Sequence, residues 1–248
     1  MKFTLCATLL LIVALSSHAA TDSRSLTPVR HGDFAHYTFA LTWQPGFCGD
    51  IGLCLDHPPQ RVLIGLHGLW ASRPQSLIDD GVSAPQWWHR GCDYFHHSSE
   101  RPRLSATTLQ RLHAVMPHLR HSLLTHEYDK HVQCFGFDTQ RFFDTELAMR
   151  KRVVHSGFGR YLLQVAQGHT VQRSDVIAAF MRSFDTDQRD ALQLRCDTDG
   201  SGQKVLSQLW ITLHRDAVAV FPLKSSLMNA PIAQDNCPST FLVPEGRR

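Results

Sequence analysis

The cysteines constrain this chain most, and they must be read together with its first twenty residues. Met1-Lys2 supplies a short positive start, residues 3–15 form an apolar run broken only by Thr4 and Thr8, and Ser17-His18-Ala19 offers the small residues that a signal peptidase needs. The run is too short to span a bilayer comfortably. Residues 1–19 are therefore expected to be a cleaved export signal and residues 20–248 one mature domain, with no later segment able to cross a membrane. The protein would be periplasmic in a Gram-negative host and secreted otherwise. Cys6 leaves with the signal, and Cys48, Cys54, Cys92, Cys134, Cys196 and Cys237 remain. An even set in an oxidising compartment predicts three disulfides, although sequence alone leaves their pairing open. No two of them have C-x-x-C spacing, which argues against a zinc ribbon or a thioredoxin-type motif.

Of the 248 residues, 43% are hydrophobic and 19% charged, which excludes a disordered chain. The formal charge of +3 is too small for a broadly basic nucleic-acid binder, so any anion recognition must be local. The unusual number is 16 histidines, nearly uncharged at pH 7 and cationic in mild acid.

Tyr37, Phe39, Leu41 and Trp43 alternate with smaller or polar residues, the period of a half-buried strand. Residues 61–66 form a short apolar run suited to a buried strand. Residues 71–103, with Pro74, Pro85 and Pro102, read as irregular. Five helical segments follow. The first is capped by Ser105 and stopped by Pro117, and the second spans about 118–131. The third starts after Asp138 with Phe143, Leu147 and Val154 inward. The fourth has Phe158, Leu162 and Val165 inward and ends at Gly168, and the fifth is capped by Ser174. Strand signals return at 192–196, 205–213 and 240–243. Strands at both ends with helices between predict a single α+β domain, an antiparallel sheet with packed helices.

Two segments carry chemistry. Gly65-Leu66-His67-Gly68-Leu69-Trp70 ends a buried strand on a histidine flanked by glycine, and His126-Glu127-Tyr128-Asp129-Lys130-His131 lies just before Cys134. A zinc-protease reading of the second fails. That motif needs histidines four apart, whereas His126 and His131 are five apart, about 140° around an α-helix. No other histidines have recognisable metal-ligand spacing.

These two segments resemble the paired active-site motifs of the ribonuclease T2 family. The first family motif is an apolar strand leading into His-Gly-Leu-Trp-Pro, matched by residues 66–70 with Ala71 in place of proline. The second, His-Glu-aromatic-x-Lys-His-Gly-x-Cys, is matched by residues 126–134 with Val132 in place of glycine. Residues 41–48 are similar to the family's first strand and first cysteine, and residues 134–138 are most like the bacterial periplasmic branch. The resemblance spans residues 36 to 243. It implies a broad-specificity endoribonuclease acting on RNA and not DNA, as a monomer, with no metal or other cofactor. Cleavage would proceed through 2′,3′-cyclic phosphates to 3′-phosphates. His131 would be general base and His67 general acid, with the two labels exchangeable. His126 would bind the phosphate, while Glu127 and Lys130 polarise it and stabilise the transition state. Trp70 would stack on a base or brace His67; Trp87 and Trp88 have no assigned role. The implied disulfides are Cys48–Cys54, Cys92–Cys134 and Cys196–Cys237. β-Branched Val132 cannot adopt a left-handed conformation cheaply, so a changed turn is expected after His131. A metal-dependent phosphodiesterase or nuclease, and a non-catalytic RNA-binding protein on the same fold, are the alternatives. Retention of His67, Lys130 and His131 argues against the second.

Overall fold

A computed structural model describes residues 26–49, 54–55, 62–98 and 100–246. The expected export signal lies outside the described residues. Among those described, no helix is long and apolar enough to cross a membrane.

The sheet is built on β1 (His36–Trp43) and β5 (Lys204–His214). β1 pairs antiparallel with β2 (Ile64–Ala71) on one edge and with β5 on the other. β4 (Leu192–Thr198) then pairs antiparallel with the far edge of β5. β3 (Thr170–Gln172) and β6 (Thr240–Leu242) form a short antiparallel ladder. The sheet is mixed rather than wholly antiparallel, because β6 meets β5 in parallel at Val205 and Leu242. The long connection over residues 215–239 makes that return possible.

Alternation in β1 buries Tyr37, Phe39, Leu41 and Trp43 completely, as their spacing predicts. They meet Leu209, Ile211 and Leu213 of β5 on the same face. The opposite face of the sheet carries the polar and aromatic residues described below.

The helices are α1 (Gln44–Phe47), α2 (Gln75–Asp79), α3 (Ala84–Arg90), α4 (Ala106–Val115), α5 (Leu123–Glu127), α6 (Thr139–His155), α7 (Gly157–Tyr161) and α8 (Arg173–Ser183). Ser105 caps α4 by accepting the Thr108 N–H at 3.2 Å, and Asp138 caps α6 through Arg141 N at 3.0 Å. α6 buries Phe142, Phe143, Leu147 and Val153, and Arg150 Nε ties it to the start of β2 through the Ile64 carbonyl at 2.8 Å.

Several expectations need correction. Residues 71–103 hold α2 and α3; the capping box of Ser83 and Gln86, with Pro85 in the first turn, starts α3 despite the prolines around it. The helix expected over 118–131 begins only at Leu123, capped by Ser122, because Leu119 is drawn into a bridge with Cys54. α8 starts at Arg173 without a side-chain cap, so Ser174 lies inside it. Val165 is 59% exposed while Ala166 is buried, because residues Leu162–Ala166 form a π-turn whose extra residue shifts the inward face by one.

The three disulfides are Cys48–Cys54, Cys92–Cys134 and Cys196–Cys237, as the resemblance implied. The last two close loops with separations of 42 and 41 residues, each worth about 3–4 kcal/mol in the chain-entropy model.

Candidate active site

Two backbone irregularities build the site. In the β1–β2 ladder Ala40 faces Gly68 and Leu41 faces Leu66, so His67 is the extra residue of a β-bulge. In a regular strand, residues three apart such as His67 and Trp70 point to opposite faces. The bulge resets the alternation, and both side chains line the same cavity of about 850 Å³.

The second irregularity is the π-turn Tyr128–Val132 that continues α5. Its i→i+5 bonding takes up one extra residue. Positions five apart are thereby brought into the relation that four-apart positions have in an α-helix. The rings of His126 and His131 come within 6.3 Å, and polar atoms of His126, Glu127 and His131 lie within 4.8 Å of one another. The divergence expected from α-helical geometry does not occur. Val132 is buried at φ −121°, outside the left-handed region, and the left-handed residue that follows is Gly136, at φ +65°. Cys92–Cys134 fastens the turn to residues Gly91–Tyr94. Gly91 permits this, having φ +52° and lying where a Cβ would be 2.3 Å from the Lys130 carbonyl oxygen.

The hydrogen bonds fix a tautomer. Gln208 Oε1 accepts the Trp210 indole N–H at 3.0 Å and lies 2.8 Å from His67 Nδ1. An indole can only donate, so that atom is an oxygen and His67 Nδ1 carries the hydrogen. His67 Nε2 is left facing Glu127 Oε1 at 3.5 Å. The other Glu127 oxygen accepts the Trp70 indole N–H at 2.7 Å. The Trp70 ring meets His67 at 5.0 Å, Trp210 at 5.3 Å and His131 at 5.5 Å. Trp70 thus braces both histidines and the carboxyl while one side still borders the cavity.

Burial dominates the electrostatics. It pushes the His67 imidazole down to about 4 against the pull of the Gln208 hydrogen bond, with His126 and Lys130 adding to the fall. It holds His131 well below the usual imidazole value, reinforced by Lys130. His126 is lowered by desolvation and then by Lys130, with Asp129 opposing. Glu127, 1% exposed, is pushed up to about 8 by burial, although the Trp70 N–H and Lys130 favour its charged form. Near neutrality the imidazoles and the carboxyl are therefore neutral, and the Lys130 ammonium stands among them. Such a site invites an anion, and an entering phosphodiester would raise the proton affinity of both histidines.

Gly68 makes the packing possible. A Cβ there would sit 2.0 Å from Glu127 Oε2 and 2.8 Å from Trp70 Nε1. Gly68→Ala is expected to push Glu127 off its indole partner and lower turnover about 100-fold, the scale of a 1 Å misplacement. Steady-state assay beside a thermal melt tests this; unchanged turnover in a folded variant would mean that Glu127 is not needed in its present place.

Sequence reading brought His67, Trp70, His126, Glu127, Lys130 and His131 forward, and the fold gathers all six on one cavity. It passed over Gln208 and Trp210. Their signal was present: on β5 they occupy the face opposite Leu209 and Ile211, where a tryptophan beside polar residues marks a used surface. Trp87 is a core residue, its indole N–H donating to the Ala71 carbonyl at 3.2 Å and its ring packed on Phe135. Trp88 is exposed at the cavity.

The model of the Ribonuclease T2 family matches residues 34–226. Ribonuclease I of Escherichia coli (strain K12) is 29% identical over 259 residues, covering 94% of this chain and 95% of that protein. Among solved structures, RNase NT in complex with 5′-AMP superposes with a TM-score of 0.60 at 16% identity, over 86% of this chain and 98% of the other. Ribonuclease MC1 from the seeds of bitter gourd gives 0.55 at 21% identity, over 84% and 100%. The structural matches agree in fold, and the family match spans most of the chain. The chain belongs to the ribonuclease T2 family.

Proposed function

We propose that this protein is an exported, monomeric, metal-independent endoribonuclease that cleaves RNA with little base preference in two steps. Family membership and the similarity to Ribonuclease I make it an endoribonuclease; the reaction steps rest on the geometry of the cavity. The observation that carries them is the placement of His67 and His131 against Trp70 in one cavity, with Lys130 and Glu127 beside them.

His131 takes the proton of the 2′-hydroxyl, whose oxygen attacks the adjacent phosphorus. The bond to the 5′-oxygen breaks as His67 delivers a proton to it from Nε2, the nitrogen that Gln208 leaves free. Lys130 stabilises the charge that builds on the non-bridging oxygens, Glu127 polarises the phosphate, and His126 at the rim binds it. The 2′,3′-cyclic phosphate is then hydrolysed to a 3′-phosphate with the two histidine roles reversed. Trp70 contacts a base with its cavity-facing side. Three disulfides favour an oxidising compartment, and hence export.

One observation favours a metal-dependent phosphodiesterase instead: His126, Glu127 and His131 converge closely enough to ligate an ion. The Lys130 charge beside them opposes it by repulsion of a cation. Purified protein given single-stranded RNA and DNA, with and without excess chelator, separates the readings. RNA alone should be cut, at the same rate in both buffers. Loss of activity with chelator, or cleavage of DNA, would put the metal-dependent reading first.

A further inference from the structure

The cavity extends beyond the groups proposed to perform the reaction, and its lining there mixes polar residues with exposed apolar ones. Trp88 and Ile232 are 41% and 45% exposed, yet both line the cavity that holds His67 and His131. They stand on opposite sides of it. Trp88 lies on α3, which is anchored to the end of β2 by the Trp87 indole bond to Ala71. Ile232 lies on the loop beside β4, on the far side of β1 and β5.

That loop is held firmly. Gln193 Nε2 donates to the Ile232 carbonyl at 3.2 Å, and Gln193 Oε1 accepts Gln234 N at 2.8 Å. Arg173 grips Asp235 with two bonds of 3.1 and 2.8 Å, and Cys196–Cys237 closes the loop behind it. Arg195, packed over the Trp210 ring at 4.7 Å, donates to the Gln234 carbonyl. A loop held in this way presents Ile232 at a set position and loses little backbone entropy on binding.

We propose that Trp88 forms a further base-binding subsite for a nucleotide flanking the cleaved linkage, with Ile232 as an apolar wall across the cavity, so that the enzyme grips single-stranded RNA over more than the two nucleotides it separates. The proposal rests on the ribonuclease reading above. The occupant follows from chemistry: the cavity receives a phosphodiester, and the next unit of the same polymer presents a flat aromatic face at its mouth. Base stacking on an aromatic ring is sequence-tolerant, since every base has a π-face. Arg73 and Arg195 in the cavity wall supply positive charge for the flanking phosphate. A duplexed base is unavailable for such a contact, so the subsite also selects for unpaired RNA.

The test compares a dinucleoside monophosphate, which has no flanking nucleotide, with a single-stranded hexanucleotide. Trp88→Ala and Ile232→Ser each change an exposed side chain, and a thermal melt checks that the fold is kept. For the hexamer, KM should rise about five- to tenfold in Trp88→Ala, the lower end of stacking effects, with kcat within twofold. Trp88→Phe should restore most of the loss. For the dinucleoside monophosphate, neither constant should move. Equal losses on both substrates would place Trp88 at the scissile nucleotides, and no loss on either would leave the rim without a role; each overturns the proposal. Failure of the ribonuclease reading looks different, because the wild-type protein would then cut neither RNA.

Discussion

Alanine at His67 or at His131 should nearly abolish RNA cleavage, each variant losing about 10³- to 10⁴-fold in kcat/KM. In the proposed reaction both proton transfers are needed in both steps, so neither loss could be bypassed by the other histidine. The two variants should resemble each other because the groups act as a unit, and the double variant should be little worse than either single one. Lys130→Ala should fall mainly in kcat, by about 10²- to 10³-fold, since it acts on charge that exists only in the transition state. His126 is exposed at the rim, and its alanine variant should be milder and weigh on KM. The pH profile of kcat/KM should be bell-shaped with its maximum on the acid side of neutrality. Burial pushes His67 down to about 4 and holds His131 low as well, so the free enzyme carries a protonated acid only in acid solution. Near-normal turnover of the His131 variant, or a maximum above pH 7, would contradict these assignments.

What the sequence made legible was whatever depends on regular periodicity. Tyr37, Phe39, Leu41 and Trp43 follow a period of two and are all buried. Ser105 and Asp138 follow capping rules and cap their helices. The disulfide pairing came from family resemblance, since spacing alone allowed several. The illegible part lies where one residue is added to a regular element. At His67 the added residue is a bulge, at Val132 and Ala166 the end of a π-turn. An added residue shifts every later side chain to a new direction, and nothing in composition announces it. The candidate site depends on two of these three insertions. Regular geometry would separate His67 from Trp70 and His126 from His131, and the site would not exist. This is also why α-helical arithmetic, which set a zinc-protease motif aside, missed that the same residues converge.

A single 2′-deoxy residue in an RNA oligonucleotide should make the linkage on its 3′ side resistant, with every other linkage still cut. The reasoning turns on where the nucleophile comes from. In the proposed reaction the cavity offers acid and base, and RNA supplies the attacking oxygen next to each phosphorus. Removing that oxygen should leave binding nearly intact, since on the proposed reading Lys130, His126 and the cavity wall would still meet the phosphate. Chemistry should nonetheless stop at that one position. Mass spectrometry of the products should find the 2′,3′-cyclic phosphate end first and the 3′-phosphate later, because the second forms from the first. Excess chelator should change neither the rate nor the order. The same oligonucleotide tests the convergence of His126, Glu127 and His131 as an ion site, because a metal-activated water would not need the 2′-hydroxyl. Cleavage at the deoxy position, giving a 3′-hydroxyl and a 5′-phosphate, would mean that water attacks and that the cluster holds a cation rather than a phosphate.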